Sequence, residues 1–310
     1  MIVTVTANPC VDRFYFIDGL ISGRVNRIAE CRVSAGGKGI NVAKAASLLG
    51  EETAATGFLG GCSGEFIRGS LLKNGIRDAF VAVGEETRTC ISIKELQSGR
   101  QTELLEPGCP VPCEKQLELL TAFGELLKGC SVAVISGSVP PSTGEDLYPR
   151  LIRLARDAGR TVILDTSGRL LQTGVDACPH IVKPNREELA AFAGREIGTR
   201  DEIIDAALSM KDKGIDTVIV SLGREGAVFV TEDGVYQGTT PDIRIVNSLG
   251  CGDSLVAGFA VGLSRGLPIT QTIRLSMAVS TANALCKEAG SFLQTDLERL
   301  LGEVGAVRLR

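Results

Sequence analysis

Short runs of apolar residues, each the length of a β-strand, recur along most of this chain. They occupy residues 2–6, 54–58, 132–136, 161–165, 180–183, 217–221 and 227–230. The segments between them, such as NVAKAASLLG and DEIIDAALSMKDKG, have apolar residues at helical spacing, and several end at glycine. This alternation predicts an α/β fold in which helices cover both faces of a mainly parallel sheet. In such folds, ligands bind beyond the carboxyl ends of the strands.

Two regions interrupt this rhythm, residues 11–34 and residues 87–106. Both show the period-two alternation of half-buried strands, which favours antiparallel pairing. We expect them to form a small sheet that projects from the main body and covers a site or pairs with another chain. Because there is no long linker, repeat or low-complexity tract, residues 1–310 are expected to form a single domain.

Composition narrows the class of protein. The net charge of −4 and the pI of about 5.3 argue against non-specific binding of nucleic acid, so the expected partner is a small molecule. No apolar stretch reaches the roughly 20 residues of a membrane span, and MIVTVTANP is typical of a strand rather than a signal peptide. We therefore expect a cytoplasmic protein that does not contact a membrane.

Cysteine and histidine usage excludes several kinds of site. The ten cysteines include no C-x-x-C pair, which favours free thiols in a reducing compartment over disulfides or a zinc site. His180 is the only histidine, so histidine-cluster metal sites are excluded. A Ser-His-Asp hydrolase would depend on this one residue without a G-x-S-x-G motif, and a structural role for His180 is the better interpretation.

The first glycine-rich stretch, SAGGKGINVAK (34–44), leads into a predicted helix. It matches neither the P-loop nor the G-x-G-x-x-G dinucleotide motif. Gly37 and its glycine neighbours allow close approach of a ligand to the backbone, and Lys38 and Asn41 could reach a polar ligand. An ordinary turn before a helix explains the same residues, and both interpretations stay open.

The second glycine-rich stretch, NSLGCGDSLVAGFA (247–260), places Asp253 at the start of a helix. Helix starts attract anions because the first N–H groups lack partners and the helix dipole is positive there. A carboxylate in that position would repel a bound phosphate. Asp253 is therefore either a helix cap or a group that performs chemistry beside a phosphate.

Two further segments have both a structural and a functional interpretation. In VKPNREEL, Asn185 and Glu188 lie on the first helical turn, where they can form a capping box or organise a hydrated Mg²⁺ ion. SLGREGA (221–227) is typical of a hairpin, and its exposed backbone could also face a nucleotide.

The projecting strands contribute the remaining candidates. Arg24, Arg27 and Arg88 are either solvated or suited to a bidentate grip on a phosphorylated substrate. Asp12, at a predicted strand end, could accept hydrogen bonds from sugar hydroxyl groups.

Nine segments in this order resemble the PfkB-type, ribokinase-like carbohydrate kinases, and the resemblance covers essentially the whole chain. GRVNRI, GGKGINVAK and QTELLE look most like the phosphosugar branch, the 1-phosphofructokinases and tagatose-6-phosphate kinases. The nine segments are ANPCVD, AGGKGIN, TR (87–88), TE (102–103), SGSVP (136–140), LDTSG (164–168), KPNREEL, SLGREGA and LGCGDSLVAG.

The resemblance implies a ribokinase-like three-layer α/β/α sandwich with a mainly parallel central sheet and a small projecting β-sheet lid, whose strands come from about 11–34 and 87–106. It implies ATP and Mg²⁺ as cofactors, a phosphosugar as the second small-molecule partner, and a homodimer formed through the lid strands. The expected reaction is phosphorylation of fructose 1-phosphate to fructose 1,6-bisphosphate.

The resemblance also implies roles for individual residues. Asp253 would be the catalytic base, and the N–H groups of Gly250, Cys251 and Gly252 would form an anion hole. Asn185 and Glu188 would position Mg²⁺ through water. The ATP side would be lined by Lys183, Asn185, Ser221, Gly223 and Gly226, with Asp165 nearby. The phosphosugar would be held by Asp12, Gly37, Lys38, Asn41 and Arg88, with Arg24 and Arg27 contributed from the same or a neighbouring subunit.

Three alternatives remain at this point. The acceptor could instead be tagatose 6-phosphate or fructose 6-phosphate. The chain could be a phosphosugar-binding regulator on a kinase scaffold, because fold does not fix function. A nicotinamide dehydrogenase is disfavoured by the missing dinucleotide motif.

Overall fold

The computed structural model describes residues 1–310, which form fifteen strands and ten α-helices. The strands are β1 (Ile2–Thr6), β2 (Cys10–Ile17), β3 (Glu30–Gly36), β4 (Thr53–Leu59), β5 (Arg77–Asp78), β6 (Val81–Ala82), β7 (Thr89–Glu95), β8 (Gln101–Leu105), β9 (Val132–Ser136), β10 (Thr161–Asp165), β11 (Ile181–Val182), β12 (Thr217–Ser221), β13 (Ala227–Val230), β14 (Val235–Thr239) and β15 (Gly305–Arg308).

The helices are α1 (Lys38–Leu48), α2 (Gly61–Lys73), α3 (Cys113–Leu127), α4 (Leu147–Asp157), α5 (Gly168–Asp176), α6 (Arg186–Ala193), α7 (Arg200–Lys211), α8 (Cys251–Ser264), α9 (Ile269–Ala284) and α10 (Gln294–Glu303). None of them is long and apolar enough to cross a membrane.

The main sheet is parallel from β5 to β12 and ends in three antiparallel strands. Its order is β15-β14-β13-β12-β11-β10-β9-β1-β4-β5, and β6 pairs separately with β4. The seven strands predicted from apolar runs correspond to β1, β4 and β9–β13, with end shifts of at most one residue. β5, β6, β14 and β15 lie outside the predicted set, and SLGREGA forms the hairpin between β12 and β13.

Side chains along each strand point alternately to the two faces of this sheet, and helices cover both faces. Along β9, Ala133 and Ile135 pack into one core, whereas Val132 and Val134 pack into the other. The first core includes side chains of α3–α7, and the second includes side chains of α1 and α8–α10. The three layers bring the carboxyl ends of β1, β9, β10 and β11 to one edge.

The small sheet projects at that edge, with the order β3-β2-β7-β8. Both outer pairs are antiparallel, as predicted from the alternating pattern. The prediction of antiparallel pairing was wrong for the central pair, because β2 and β7 run parallel from Val11↔Thr89 to Ile17↔Glu95. Each hairpin starts from the same edge of the main sheet, so its first strand leaves in the same direction.

Candidate active site

A cleft of about 610 Å³ lies between the carboxyl ends of the main-sheet strands and the inner face of the small sheet. This volume is within the range of small-molecule sites. The cleft is lined by thirteen of the residues singled out in the sequence: Asp12, Gly37, Lys38, Asn41, Arg88, Asp165, Lys183, Asn185, Glu188, Ser221, Gly250, Gly252 and Asp253.

The start of α8 forms one wall of the cleft. Gly250 precedes the helix with a φ of 76°, a left-handed conformation that favours glycine. A Cβ atom there would lie 2.7 Å from the Cβ of Ala289 and 2.9 Å from the amide nitrogen of Gly290. Only glycine therefore lets the turn approach the 289–290 backbone this closely, with the helix N-terminus directed at the cleft.

Asp253 lies in the first turn of α8 and is 7% exposed. It makes no capping hydrogen bond, so the interpretation of Asp253 as a helix cap was wrong. Its Oδ2 accepts a hydrogen bond of 2.8 Å from Nδ2 of Asn41 on α1. Burial and the nearby Asp165 raise the pKa of Asp253 to about 6, against the opposing effects of Lys38 and Asn41.

Two lysines meet on a single carboxylate at the bottom of the cleft. Nζ of Lys38 lies 2.8 Å from Oδ1 of Asp165, and Nζ of Lys183 lies 3.3 Å from the same oxygen. Burial alone would raise the pKa of Asp165, but the two lysines lower it below its ordinary value. The second oxygen of Asp165 is buried without a hydrogen-bond partner. Lys38 was predicted to face the sugar, and its contact with Asp165 also brings it to the predicted ATP side.

Asn185 and Glu188 form the capping box predicted from VKPNREEL. The side chain of Asn185 accepts from the N–H of Glu188 at 2.7 Å, and Oε2 of Glu188 accepts from the N–H of Asn185 at 2.8 Å. Asn185 also forms a bridge with Ser221, at the end of β12. Oε1 of Glu188 makes no hydrogen bond within the protein, so a carboxylate oxygen at the cleft is available to a hydrated cation.

A second pocket, of about 540 Å³, adjoins the cleft behind the start of α8. The two share Ser221, Ser248 and Gly252. The pocket contains Gly223 and Gly226, which the resemblance assigns to ATP, and Cys251, which it assigns to the anion hole. One wall is apolar and is formed by Ile243, Ile245, Leu255 and Met277.

The opposite end of the cleft is built from β1, β2 and the start of α1. Gly37 has a φ of 117°, and a Cβ atom there would lie 2.6 Å from Cγ2 of Thr6. Asp12 was expected at a strand end but is the third residue of β2, where it faces the cleft. Burial raises the pKa of Asp12, although a hydrogen bond from Cys10 and the nearby Lys44 oppose that effect. The Arg88 guanidinium donates to the carbonyl oxygens of Asn8 and Glu106, which fixes its position.

Arg24 and Arg27 lie elsewhere. Both are in the exposed connection between β2 and β3, so their predicted position on strands was wrong, and neither lines the cleft or the second pocket of the same chain.

His180 is also outside the cleft, and its Nδ1 accepts from the N–H of Val162 at 3.1 Å. All ten cysteines are free, and three of them are buried: Cys10, Cys90 and Cys130.

The sequence interpretation missed several residues that shape the site. Asn8 donates to the Oγ of Ser138 and to the carbonyl oxygen of Pro107. Asn283, fully buried on α9, donates to the carbonyl oxygen of Leu249 and accepts from the N–H of Gly290. Asn283 thereby holds the turn before α8 from behind. An asparagine inside a long helix has no local signal for such a contact.

A glycine-rich helix start and a buried carboxylate lie between two adjoining pockets at the edge of a parallel sheet, an arrangement suited to phosphoryl transfer between two small molecules. Residues 4–296 match the pfkB family of carbohydrate kinases. The chain belongs to that family, and it is a sugar-phosphate kinase.

Named relatives agree with this assignment. A tagatose-6-phosphate kinase of Staphylococcus epidermidis is 34% identical over 312 residues, covering all of both chains. The structure of a possible 1-phosphofructokinase from Thermotoga maritima is 29% identical, with a TM-score of 0.86 over all of both chains. Phosphofructokinase-2 from Escherichia coli in complex with fructose-6-phosphate is 27% identical, with a TM-score of 0.88 over 97% of this chain and 98% of that one.

These similarities confirm the predicted ribokinase-like three-layer fold with its small separate sheet. They also remove the nicotinamide dehydrogenase from the alternatives.

Proposed function

We propose that the chain transfers the γ-phosphoryl group of ATP to a primary hydroxyl group of a ketohexose phosphate. The expected acceptor is fructose 1-phosphate, and the product is fructose 1,6-bisphosphate. One observation carries this proposal: the buried carboxylate of Asp253 lies at the N-terminus of α8, where the cleft and the second pocket adjoin.

The chemistry needs alignment and charge stabilisation more than a strong base, because the transition state of phosphoryl transfer is loose and charge-rich. In the proposed reaction, Asp253 accepts the proton of the attacking hydroxyl group. The N–H groups of Gly250, Cys251 and Gly252 face the transferring phosphoryl group. With a pKa of about 6, Asp253 is mostly ionised at neutral pH and can act as this acceptor.

The acceptor occupies the end of the cleft nearer the small sheet. Asp12 accepts hydrogen bonds from sugar hydroxyl groups, while Gly37 allows the substrate to approach the backbone. The side-chain Oδ1 of Asn41 is buried without a protein partner, which suits a further hydroxyl group. Arg88 and Lys38 supply positive charge for the phosphate groups.

ATP occupies the second pocket, with its base against the apolar wall and its phosphates towards α8. Gly223 and Gly226 lie beside the nucleotide, and Ser221 and Lys183 lie at the junction with the cleft. Lys183, with Asp165 beside it, faces the phosphates.

The donor set at the cleft fits Mg²⁺, which prefers oxygen ligands and keeps most of its waters. Oε1 of Glu188, without a partner in the protein, and the nearby Asn185 side chain would hold the hydrated ion. A bound Mg²⁺ ion would supply positive charge against the phosphate oxygens. The chain contributes the position of Glu188, which the capping box fixes.

Tagatose 6-phosphate is the second candidate acceptor. The observation that favours it is the 34% identity to a tagatose-6-phosphate kinase over the full length of both chains. The two acceptors carry the phosphate at opposite ends of the ketohexose. Arg88 would bind the fixed phosphate in either case, and Asp253 would face the free primary hydroxyl group.

An ATP-coupled assay over fructose 1-phosphate, tagatose 6-phosphate, fructose 6-phosphate, fructose and tagatose tests the proposal. We expect the highest kcat/KM for fructose 1-phosphate and little turnover of the unphosphorylated sugars. A higher kcat/KM for tagatose 6-phosphate would transfer the assignment to the second candidate. Phosphosugar binding without turnover of any acceptor would contradict the kinase proposal and favour a regulator on the same scaffold.

We also propose that residues 1–310 act as one kinase unit whose small sheet is a lid that closes over the acceptor and excludes water. The outer face of this sheet supports a homodimer. Val33, Arg13, Ile91 and Leu104 lie in register across β3, β2, β7 and β8 on that face, so exposed apolar side chains flank the exposed Arg13. A second copy would cover the exposed side chains of Val33 and Leu104 and bring its Arg24 and Arg27 towards the cleft.

Sedimentation of the wild type and of Leu104→Lys tests the dimer, since a charge that replaces a buried apolar contact disfavours association. Leu117→Lys is the matched control, because Leu117 is an exposed apolar side chain on α3, outside the small sheet. A monomeric wild type would contradict the dimer.

A further inference from the structure

Three metal-ligating side chains meet on the inner face of the small sheet. Cys10 and Asp12 are two residues apart on β2, and Asp12 is in register with Cys90 on the parallel strand β7. The two Sγ atoms and a carboxylate oxygen of Asp12 all lie within 4.8 Å of one another, and Cys10 Sγ is 3.1 Å from Oδ1 of Asp12. All three residues line the cleft.

We propose that Cys10, Asp12 and Cys90 form a binding site for a thiophilic divalent cation such as Zn²⁺ or Cd²⁺. Zinc bonds to thiolate sulfur at about 2.3 Å and to carboxylate oxygen at about 2.0–2.2 Å, usually with tetrahedral geometry. The ligands of one such ion therefore lie roughly 3–4 Å apart, a spacing close to that of these three atoms. The fourth position faces the cleft and is left to water.

The set of ligands selects against Mg²⁺. Two sulfur atoms are soft ligands, whereas Mg²⁺ requires oxygen. The proposed site is therefore separate in chemistry from the one at Glu188, and a thiophilic ion and Mg²⁺ do not exchange places.

The register of the strands favours an ion over a direct disulfide. Because Cys90 lies opposite Asp12, Cys10 is diagonal to it. With strands about 4.8 Å apart and a rise of about 3.3 Å per residue, the two Cα atoms are roughly 8 Å apart, beyond the Cα separation of about 7 Å that a disulfide spans without backbone movement. Two metal–sulfur bonds of about 2.3 Å bridge a wider gap than one sulfur–sulfur bond of about 2.05 Å.

Nearby charged side chains offset the net charge of the metal-bound cluster. Binding releases one proton from each thiol and leaves two thiolates and a carboxylate around one dication, a net charge of −1. Lys44 and Arg88 are the cations that act on Asp12, and Glu103 is the opposing anion. Lys44 is buried and donates to the carbonyl oxygen of Ala35 at 2.6 Å. Lys44 and Arg88 therefore offset the negative charge of the bound cluster, while Lys44 also faces Glu288.

The consequence for catalysis rests on the proposed function. If Asp12 binds sugar hydroxyl groups, coordination of its carboxylate removes it from the acceptor site. The cation then competes with the phosphosugar and leaves the ATP pocket accessible. The proposed site is thus an inhibitory one.

Titration of the reduced, chelator-treated protein with Cd²⁺ tests the site without any assay of activity. We expect one tightly bound ion per chain and an ultraviolet thiolate-to-cadmium charge-transfer band. Cys10→Ser and Cys90→Ser should each weaken binding at least about tenfold. Cys10→Ala should behave like Cys10→Ser, which separates loss of the ligand from loss of packing. Cys31→Ser, which removes an exposed cysteine on neighbouring β3, should leave the band unchanged.

A charge-transfer band of undiminished intensity in the Cys10→Ser Cys90→Ser double variant would overturn the site. Inhibition is tested with Zn²⁺ at saturating Mg²⁺ and ATP, and should be competitive with the phosphosugar and relieved in Cys10→Ala. Inhibition that persists in Cys10→Ala would overturn the inhibitory role. If no phosphosugar is turned over, the proposed function fails, while the cadmium titration still decides the site.

Discussion

Asn41 and Asp253, separated by 212 positions in the chain, are joined by a buried hydrogen bond of 2.8 Å from Nδ2 to Oδ2. The bond links the first helix of the main body to the helix that carries the proposed base. Because Asn41 is uncharged, it orients the carboxylate without forming an ion pair. It also lowers the pKa of Asp253 against the effect of burial, so that the group is ionised near neutral pH.

Asp253→Asn should reduce kcat by about 10² to 10⁴, the usual contribution of a general base. The side chain remains polar and nearly isosteric, so the affinities for ATP and phosphosugar should change little. Steady-state kinetics and calorimetric titration with each ligand measure the two effects separately. Near-normal turnover in this variant would overturn the assignment of Asp253 as base.

The same substitution should stabilise the folded protein at neutral pH. The pKa of Asp253 is about 6 in the folded chain and near 3.8 in the unfolded chain, so ionisation costs folding up to about 3 kcal/mol above pH 6. This penalty is present at pH 7, decreases as the pH falls through 6, and is absent below 3.8. Denaturant unfolding of the wild type and Asp253→Asn at pH 7.5 and pH 3.5 should show a difference only at the higher pH. A less stable variant at pH 7.5 would contradict the prediction.

The acid limb of the kcat/KM profile should fall near pH 6, because protonated Asp253 cannot accept the hydroxyl proton. Asn41→Leu removes a hydrogen bond that lowers the pKa of Asp253, so the limb should move to higher pH. The shift distinguishes this effect from a simple loss of substrate contacts, which would lower kcat/KM at every pH. Profiles measured between pH 5 and about pH 8 cover the transition. An unmoved limb would contradict the link between the two residues.

Glu188→Gln should separate cation binding from helix capping. Glutamine can replace glutamate in a capping box, so the thermal stability should change little. Loss of the charge should raise the Mg²⁺ concentration needed for half-maximal activity about tenfold or more. Glu202→Gln is the matched control, because Glu202 forms the same capping box with Thr199 on α7, away from the cleft. Equal effects of the two variants on Mg²⁺ dependence would exclude a role for Glu188 in cation binding.

Two glycines at the start of α8 should respond differently to alanine. Gly250→Ala places a Cβ 2.7 Å from that of Ala289 in a left-handed conformation, which should reduce stability by about 2 kcal/mol or more. At Gly252 the nearest atom to an added Cβ is Nζ of Lys183 at 3.6 Å, an ordinary contact. Gly252→Ala should therefore fold normally but lower kcat, because the methyl group occupies space proposed for the phosphoryl group. Thermal melts and kinetics of both variants test this difference, and unchanged turnover in Gly252→Ala would argue against an anion hole there.

The sequence predicted the parts of the fold that follow from local pattern. The apolar runs of β1, β9, β10, β12 and β13 were placed without error at either end, because buried parallel strands are almost continuously hydrophobic. β14, with the sequence VYQGT, and β15, with GAVR, were missed. Both are short, contain polar or glycine positions and depend on pairing at the sheet edge.

The site was predicted less evenly. Glycines and charged residues in motifs lie where their motifs indicated, whereas contacts between distant segments had no local signal. The two lysines on Asp165 and the support of the 249–251 turn by Asn283 are of this second kind. Arg24 and Arg27 were assigned to strands because the alternating pattern in 11–34 looked continuous. Residues 18–29 instead form the connection between β2 and β3.

The chain order of the cleft has a consequence for synthesis on the ribosome. The residues that face the acceptor from the small sheet lie within the first 106 positions, but Asp253 and its supporting Gly290 come much later. Because the amino-terminal part emerges first, an unfinished chain contains the sugar-facing strands without the carboxylate or the helix start. On the proposed mechanism, phosphoryl transfer requires nearly the whole chain, so incomplete products would not consume ATP.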